Sequence, residues 1–291
     1  MAYQSRGIFV MRKILSVLIF SAFMIYLPFL VERGNGSFRL AKTAIDVPFN
    51  PAWESDPPSP ELCSILAKPF HYLSRGMQAF VFESEDGQFV IKLFRCLPKI
   101  HPWRQFIRKN FLNRKDKHTP EQKIELLFGA CTLAYTEAAD LTGLVYIHLN
   151  STKELLEPTY LVNRMGRKIP VDLNRCRFAI QKKGTSVSKA FKDAICAHDR
   201  DKYIRLAQSF VSLVQERASR NISNLDQKLG DNFGFIGEQA IEWDFGRYSF
   251  NANLKEPKNK EAEIQIFTKR LQKFLNQTSS DWPLQLDSSI P

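Results

Sequence analysis

Near its C-terminal end the chain gathers Asp226, Lys228, Asp231 and Asn232, and then Asp244 followed at once by Phe245-Gly246. Eighteen positions separate Asp226 from Asp244. The stretch between them, 233 to 243, reads as two short strands around a Gly237-Glu238 turn. A hairpin there folds the chain back and brings the loop before its first strand beside the turn after its second. Two carboxylates so placed suit phosphoryl transfer, which asks a protein for little covalent work. It needs one carboxylate near the attacking hydroxyl, a second on Mg²⁺, and cations that hold the phosphates in line.

A cation of the right kind lies upstream. Ala79 to Ser84 and Gln88 to Phe94 have strand composition, and Asp86-Gly87 between them is a strong turn signal. Strand alternation puts Val90 and Phe94 on the face of Lys92, with Ile91 and Leu93 flanking it, so its amine sits among apolar side chains and needs an anionic partner. A helix that starts at Thr119-Pro120, with Gln122 at the third position, can carry that partner. Ile124, Leu127, Phe128, Cys131, Ala134, Tyr135 and Ala138 repeat with helical period. Glu137 borders this stripe and is the expected partner of Lys92, with Glu125 as the alternative.

The order of these motifs resembles that of protein kinases. Asp226 with Lys228 is similar to the catalytic loop, where Asn224-Leu225-Asp226 replaces His-Arg-Asp, and Asp244-Phe245-Gly246 is similar to the metal-binding turn. The resemblance gives Asp226 the base position, Asp244 a metal position, and either Asp231 or Asn232 the second metal position. Leu73 to Gly87 is similar to the glycine-rich hairpin, although Gly76 alone remains of its three glycines, and Val90-Ile91-Lys92 takes the place of the nucleotide lysine motif. Gly76, Lys92 and Glu137 are then the expected nucleotide-binding residues. ATP and Mg²⁺ are the cofactors that the resemblance implies.

The remaining elements fit that order. Strand-like segments at 143–149 and 175–181 would be the fourth and fifth strands of an N-lobe, with 180–184 as the hinge. The helix expected over 201–219 leads into the Asp226 loop. About forty-five residues follow Gly246, without an Ala-Pro-Glu motif. They are too few for the peptide-docking floor of a protein kinase, so the resemblance implies nucleotide binding more than peptide phosphorylation. The expected fold class is α+β: a bilobal, protein-kinase-like fold with a five-stranded N-lobe at 69–184 and a reduced helical C-lobe at 185–278, before a polar tail at 279–291.

At 291 residues and 44% hydrophobic content the chain can bury one sizeable core or two small lobes. Residues 14 to 31 are an uncharged run just long enough to span a bilayer, so 1–31 reads as a single-pass transmembrane anchor preceding the fold, with a cleaved signal peptide as the competing reading. Flanking charges leave the orientation open, and a need for nucleotide favours a cytosolic globular part. Residues 32–68 are rich in Pro and Ser and read as a semi-extended linker. Much of the +11 net charge lies at 99–118, a basic insertion with apolar residues at helical spacing, which suits anionic lipid. No recognition motif accompanies the charge, so no nucleic acid partner is expected. Five scattered cysteines suggest neither a zinc site nor a disulfide framework.

Three functions are compatible with these signals. The first is a membrane-anchored, kinase-like phosphotransferase that uses ATP and Mg²⁺ on an unknown acceptor. The second is a pseudokinase, a nucleotide-binding or scaffolding module. The third is a membrane-linked interaction protein that binds no nucleotide.

Overall fold

The computed structural model describes residues 2–36, 38–95, 118–278, 282 and 284–286. The basic segment at 99–118 lies outside these, apart from His118, as does most of the tail. A long helix, α1 (Ala2–Gly34), comes first, and α2 (Pro60–Leu66) is capped by the Ser59 side chain, which accepts from the Leu62 amide at 3.1 Å. Strands β1 (Phe70–Arg75), β2 (Ala79–Ser84) and β3 (Phe89–Phe94) then form an antiparallel meander. The Asp86-Gly87 turn closes its second hairpin, as the sequence predicts.

The sheet has seven strands where the sequence predicts five. Its order is β4 (Leu144–His148), β7 (Phe178–Lys182), β3, β2, β1, β5 (Thr159–Val162) and β6 (Lys168–Val171). The extra pair is a hairpin placed between β4 and β7 in the chain, and β5 joins the free edge of β1 in parallel. Each of its strands is only four residues long and Pro170 interrupts the second. Such short runs carry little period-2 signal, and an edge strand is where a proline is tolerated.

One face of this sheet packs on α3 (Pro120–Glu137), whose capping box is Thr119 with Gln122 and whose buried stripe is Leu127, Phe128, Cys131 and Ala134. The same core continues through α4 (Ala139–Thr142), α5 (Val187–Cys196), α6 (Arg200–Ser219) and the C-terminal helix. The opposite face is covered from the segment expected to be a linker. Phe38, Leu62, Ile65 and Leu66 are buried there against Phe80, Phe82 and Phe178, while Trp53 packs edge-on to Phe128 in the first core. Residues 38–66 therefore lie on the fold, because their few large apolar side chains find cover that a composition count of Pro and Ser does not reveal.

Beyond Lys182 the chain enters a second, smaller sheet through β8 (Thr185–Ser186), with order β11 (Gln239–Glu242), β10 (Phe233–Ile236), β8. Strand β9 (Ile222–Asn224) pairs with β12 (Tyr248–Phe250), and helix α7 (Leu229–Asn232) forms a single turn between β9 and β10. Helix α8 (Pro257–Thr278) lies against α6. The whole is a mixed α/β fold.

Among the described residues, no helix is long and apolar enough to cross a membrane. The run at 14–31 lies within α1, but Ile14 and Phe29 are not among the residues whose side chains are described. Those that are described, Leu15, Val17, Leu18, Ile19, Phe20, Phe23 and Ile25 among them, are exposed, apart from the half-buried Leu27.

Candidate active site

A cavity of about 650 Å³ opens between the large sheet and the β9–β12 region. Strand β3 brings Lys92 to it, the β1–β2 turn brings Gly76, and the segment after β9 brings Asp226, Lys228, Asp231 and Asn232. The turn after β11 brings Asp244, Phe245 and Gly246. Gln181 to Gly184 line it where the two sheets join. Of the residues predicted from the sequence, Glu137 and its alternative Glu125 do not reach the cavity.

Glu137 ends α3, and its side chain is exposed. Its backbone carbonyl accepts from Arg220 Nη1 at 2.8 Å, and no ion pair joins it to Lys92. Glu125 is exposed as well. The helical register explains the error. Leu127, Cys131 and Ala134 hold the face of α3 turned to the sheet, so the glutamates bordering that stripe point to solvent. Lys92 instead donates from Nζ to the carbonyl of Trp243, one residue before Asp244, and lies 5.1 Å from the centre of the Phe245 ring. Desolvation lowers its pKa, and the nearby Asp244 carboxylate opposes that shift.

The loop after β9 separates the two candidates for the second metal position. Asn232 is buried; its Nδ2 donates to the carbonyl of Asp226 at 2.7 Å, and its amide accompanies the end of α7 by donating to the Lys228 carbonyl at 3.2 Å. That leaves Oδ1, an acceptor, without a hydrogen bond among the described residues. Asp231 is exposed and contributes its backbone carbonyl, which accepts from Trp243 Nε1 at 2.6 Å. The single turn of α7 accounts for the spacing, since it places the sixth residue after Asp226, and not the fifth, against the loop.

Asn224 was not singled out by sequence reasoning, yet it joins both acidic motifs. Its Oδ1 accepts from the Asp226 amide at 2.8 Å, while its Nδ2 donates to Glu242 Oε1 at 2.6 Å and to the Asp244 carbonyl at 3.3 Å. Glu242 is fully buried and also accepts from Arg217 Nη1 and the Tyr248 hydroxyl, each at 2.7 Å. Arg217 in turn reaches Glu263 on α8 at 3.0 Å. Burial opposes the charge on Arg217, but the buried Glu242 and half-buried Glu263 carboxylates outweigh it, whereas burial raises the pKa of Glu263 and, beside Glu242, that of Tyr248. A charged residue on the apolar face of α6 was the one available sign of this network.

Gly246 sits where a Cβ would lie 2.7 Å from Gln78 Oε1 and 3.2 Å from a Leu127 methyl. The turn after Asp244 thus passes close beneath the β1–β2 turn, where a side chain would have to displace the end of Gln78. Among the described residues no three His, Cys, Asp or Glu side chains gather as a metal site. The groups that fit Mg²⁺ are the exposed Asp244 carboxylate and Asn232 Oδ1, an oxygen set of the size that Mg²⁺ takes when phosphates and water complete its shell.

Neither a protein-family model nor a curated protein matches the chain. Among solved structures it is similar to WbdD, at 14% identity and a TM-score of 0.38 over 69% of this chain. A co-crystal of WbdD with the kinase inhibitor LY294002 matches at 13% identity and the same TM-score, and a further structure, of the bifunctional kinase-methyltransferase WbdD, at 14% and 0.33. The chain spans 34–37% of the length of these proteins.

Proposed function

We propose that this chain is a membrane-anchored, atypical kinase-like protein with a bilobal fold, which transfers a phosphoryl group from ATP, with Mg²⁺, to an acceptor hydroxyl. The observation that carries this reading is the single cavity shared by Lys92, Asp226, Asn232 and Asp244, drawn from opposite sides of the junction between the sheets. Bound Mg²⁺ would supply charge neutralisation at the phosphates, held by Asp244 and Asn232. Lys92 would then exchange the Trp243 carbonyl for phosphate oxygens. Asp226, half-buried and fixed through its backbone by Asn224 and Asn232, would accept the proton of the attacking hydroxyl. Lys228, exposed beside it, would attend the transferred group.

A second reading, the pseudokinase, is favoured by one specific observation. No carboxylate from α3 meets Lys92, so nothing on that helix holds the amine in the cavity. The two readings part on measurement. Full-length protein is tested for Mg²⁺-dependent ATP binding and for ATP consumption with lipid, small-molecule and protein acceptors. Binding with turnover supports the phosphotransferase; binding without turnover selects the pseudokinase; no binding leaves an interaction protein.

The membrane part of the proposal rests on the uncharged run at 14–31 and on the exposed apolar side chains of α1. Cytosolic placement of the remainder follows from the need for nucleotide. Retention of the full chain in membranes after alkaline carbonate is the expected result, and release would remove the anchor.

A further inference from the structure

The end of α1 is fastened to the large sheet. Tyr72 on β1 donates from its hydroxyl to the Gly36 carbonyl at 3.3 Å, and its ring fills the space that any side chain at Gly36 would need. Two residues on, Phe38 is buried edge-on to Phe80 and Phe82. Whatever surface α1 engages is therefore held close to the end of the sheet where β1 finishes.

Because β5 runs parallel to β1, the β5–β6 turn emerges at that same end. The two turns together expose Leu73, Met77 and Met165, which are 46%, 76% and 63% accessible, beside Arg75, Arg164 and Arg167. Arg75 and Arg164 both act on the Tyr72 hydroxyl, which places them around the point where α1 is tied. Neither 71–79 nor 159–171 contains an Asp or Glu, and none of the three arginines forms an ion pair among the described residues.

We propose that this end of the sheet, carried by the β1–β2 and β5–β6 turns, docks on an anionic lipid surface. The occupant follows from the combination. Exposed apolar side chains interleaved with unpaired arginines match the headgroup boundary of a bilayer, where apolar groups enter and cations meet phosphate. The tie to α1, whose apolar side chains lie open to their surroundings, puts the same surface within reach. The inference rests on the membrane reading of α1 and not on phosphotransfer. Leu73, Arg75 and Met77 also line the cavity, so docking turns its mouth toward the lipid.

The test uses the full chain reconstituted in vesicles of phosphatidylcholine alone or with about 30% phosphatidylserine, followed by hydrogen exchange. Amides of 71–79 and 163–168 are expected to exchange at least roughly threefold more slowly in the anionic vesicles, and to lose that protection at about 0.5 M salt, where screening acts within a few Å. Each cation near an anionic surface raises partitioning by about fivefold, so the Arg164→Glu/Arg167→Glu variant should lose the protection altogether. Equal exchange in both lipids, or slowing in both alike, overturns the proposal. Carbonate extraction of the parent keeps the anchor separate. If α1 is released, sedimentation of the same chain with anionic but not neutral vesicles, lost in the double variant, still supports docking, and its absence overturns it.

Discussion

Asn232 donates from its side-chain amide to the backbone carbonyl of Asp226 at 2.7 Å, across a loop of one helical turn. The bond fixes which end of the Asn232 amide faces the cavity, and it makes the candidate base and the candidate metal ligand parts of one rigid loop. It also selects between neighbours that the sequence leaves equivalent.

Replacing Asn232 by Ala should weaken Mg²⁺-dependent nucleotide binding at least several-fold, by removing a metal oxygen and loosening the Asp226 loop together. Asp231→Ala should change it less than twofold, because the Asp231 contact to Trp243 is made by its backbone. Titration of nucleotide at several Mg²⁺ concentrations checks both, and a larger loss in Asp231→Ala reverses the assignment.

Asp244→Ala should abolish metal-dependent binding while leaving the thermal midpoint nearly unchanged, since the side chain is exposed and its one hydrogen bond, from the Gly246 amide at 3.3 Å, is long. Asp226→Asn should bind nucleotide normally and lose turnover by about 10²–10⁴, the usual worth of a positioned base. Calorimetry beside an ATP-consumption assay separates the two variants.

The Lys92 amine should titrate below the ordinary lysine range, because burial disfavours its charge. Its folded pKa is the lower one, so the unfolded chain holds the proton more tightly. Stability from this group is accordingly gained as pH rises from the folded value toward the ordinary lysine value. Asp244 acts in the opposite sense, so Asp244→Asn should lower the titration further, whereas Glu137→Gln should leave it in place. Carbon-13 shifts of labelled lysine side chains report all three, and a Lys92 that titrates like a surface lysine refutes the prediction.

Arg217→Met should destabilise the protein by about 3–5 kcal/mol, as it strands Glu242 without a counter-charge in the core. That corresponds to a midpoint lowered by roughly 6–20 °C for a domain of this size. Adding Glu242→Gln should recover part of the loss, and thermal denaturation of the single and double variants measures the coupling.

What could be read in advance was local. The Asp86-Gly87 turn, the 233–243 hairpin, the N-terminal cap of α3 and the side of β3 that carries Lys92 follow from neighbouring residues, and the structure contains them. What could not be read depends on partners far along the chain. Glu137 fails because a residue bordering a helical stripe turns in or out by a fraction of a turn that periodicity does not resolve. Arg217 and Asn224 act through Glu242 and Glu263, which no spacing rule connects to them. Phe38 and Trp53 are buried by surfaces formed more than forty residues later, so the segment between α1 and α2 looked like a tether.

The passage from β7 to β8 consists of Lys183 and Gly184 alone. The Lys183 amide is still bonded to the Gln88 carbonyl on the large sheet, while Thr185 and Ser186 already pair with Phe235 and Gly234 on the small one. On this side the two sheets are thus joined by two residues, a pivot in place of a slack joint. On the far side of that pivot the Lys92 to Trp243 contact acts as a latch, since one partner belongs to each sheet's side of the cleft. A guest that took up the Lys92 amine would leave the Trp243 carbonyl to its second donor, Gln181 Nε2 at 3.3 Å.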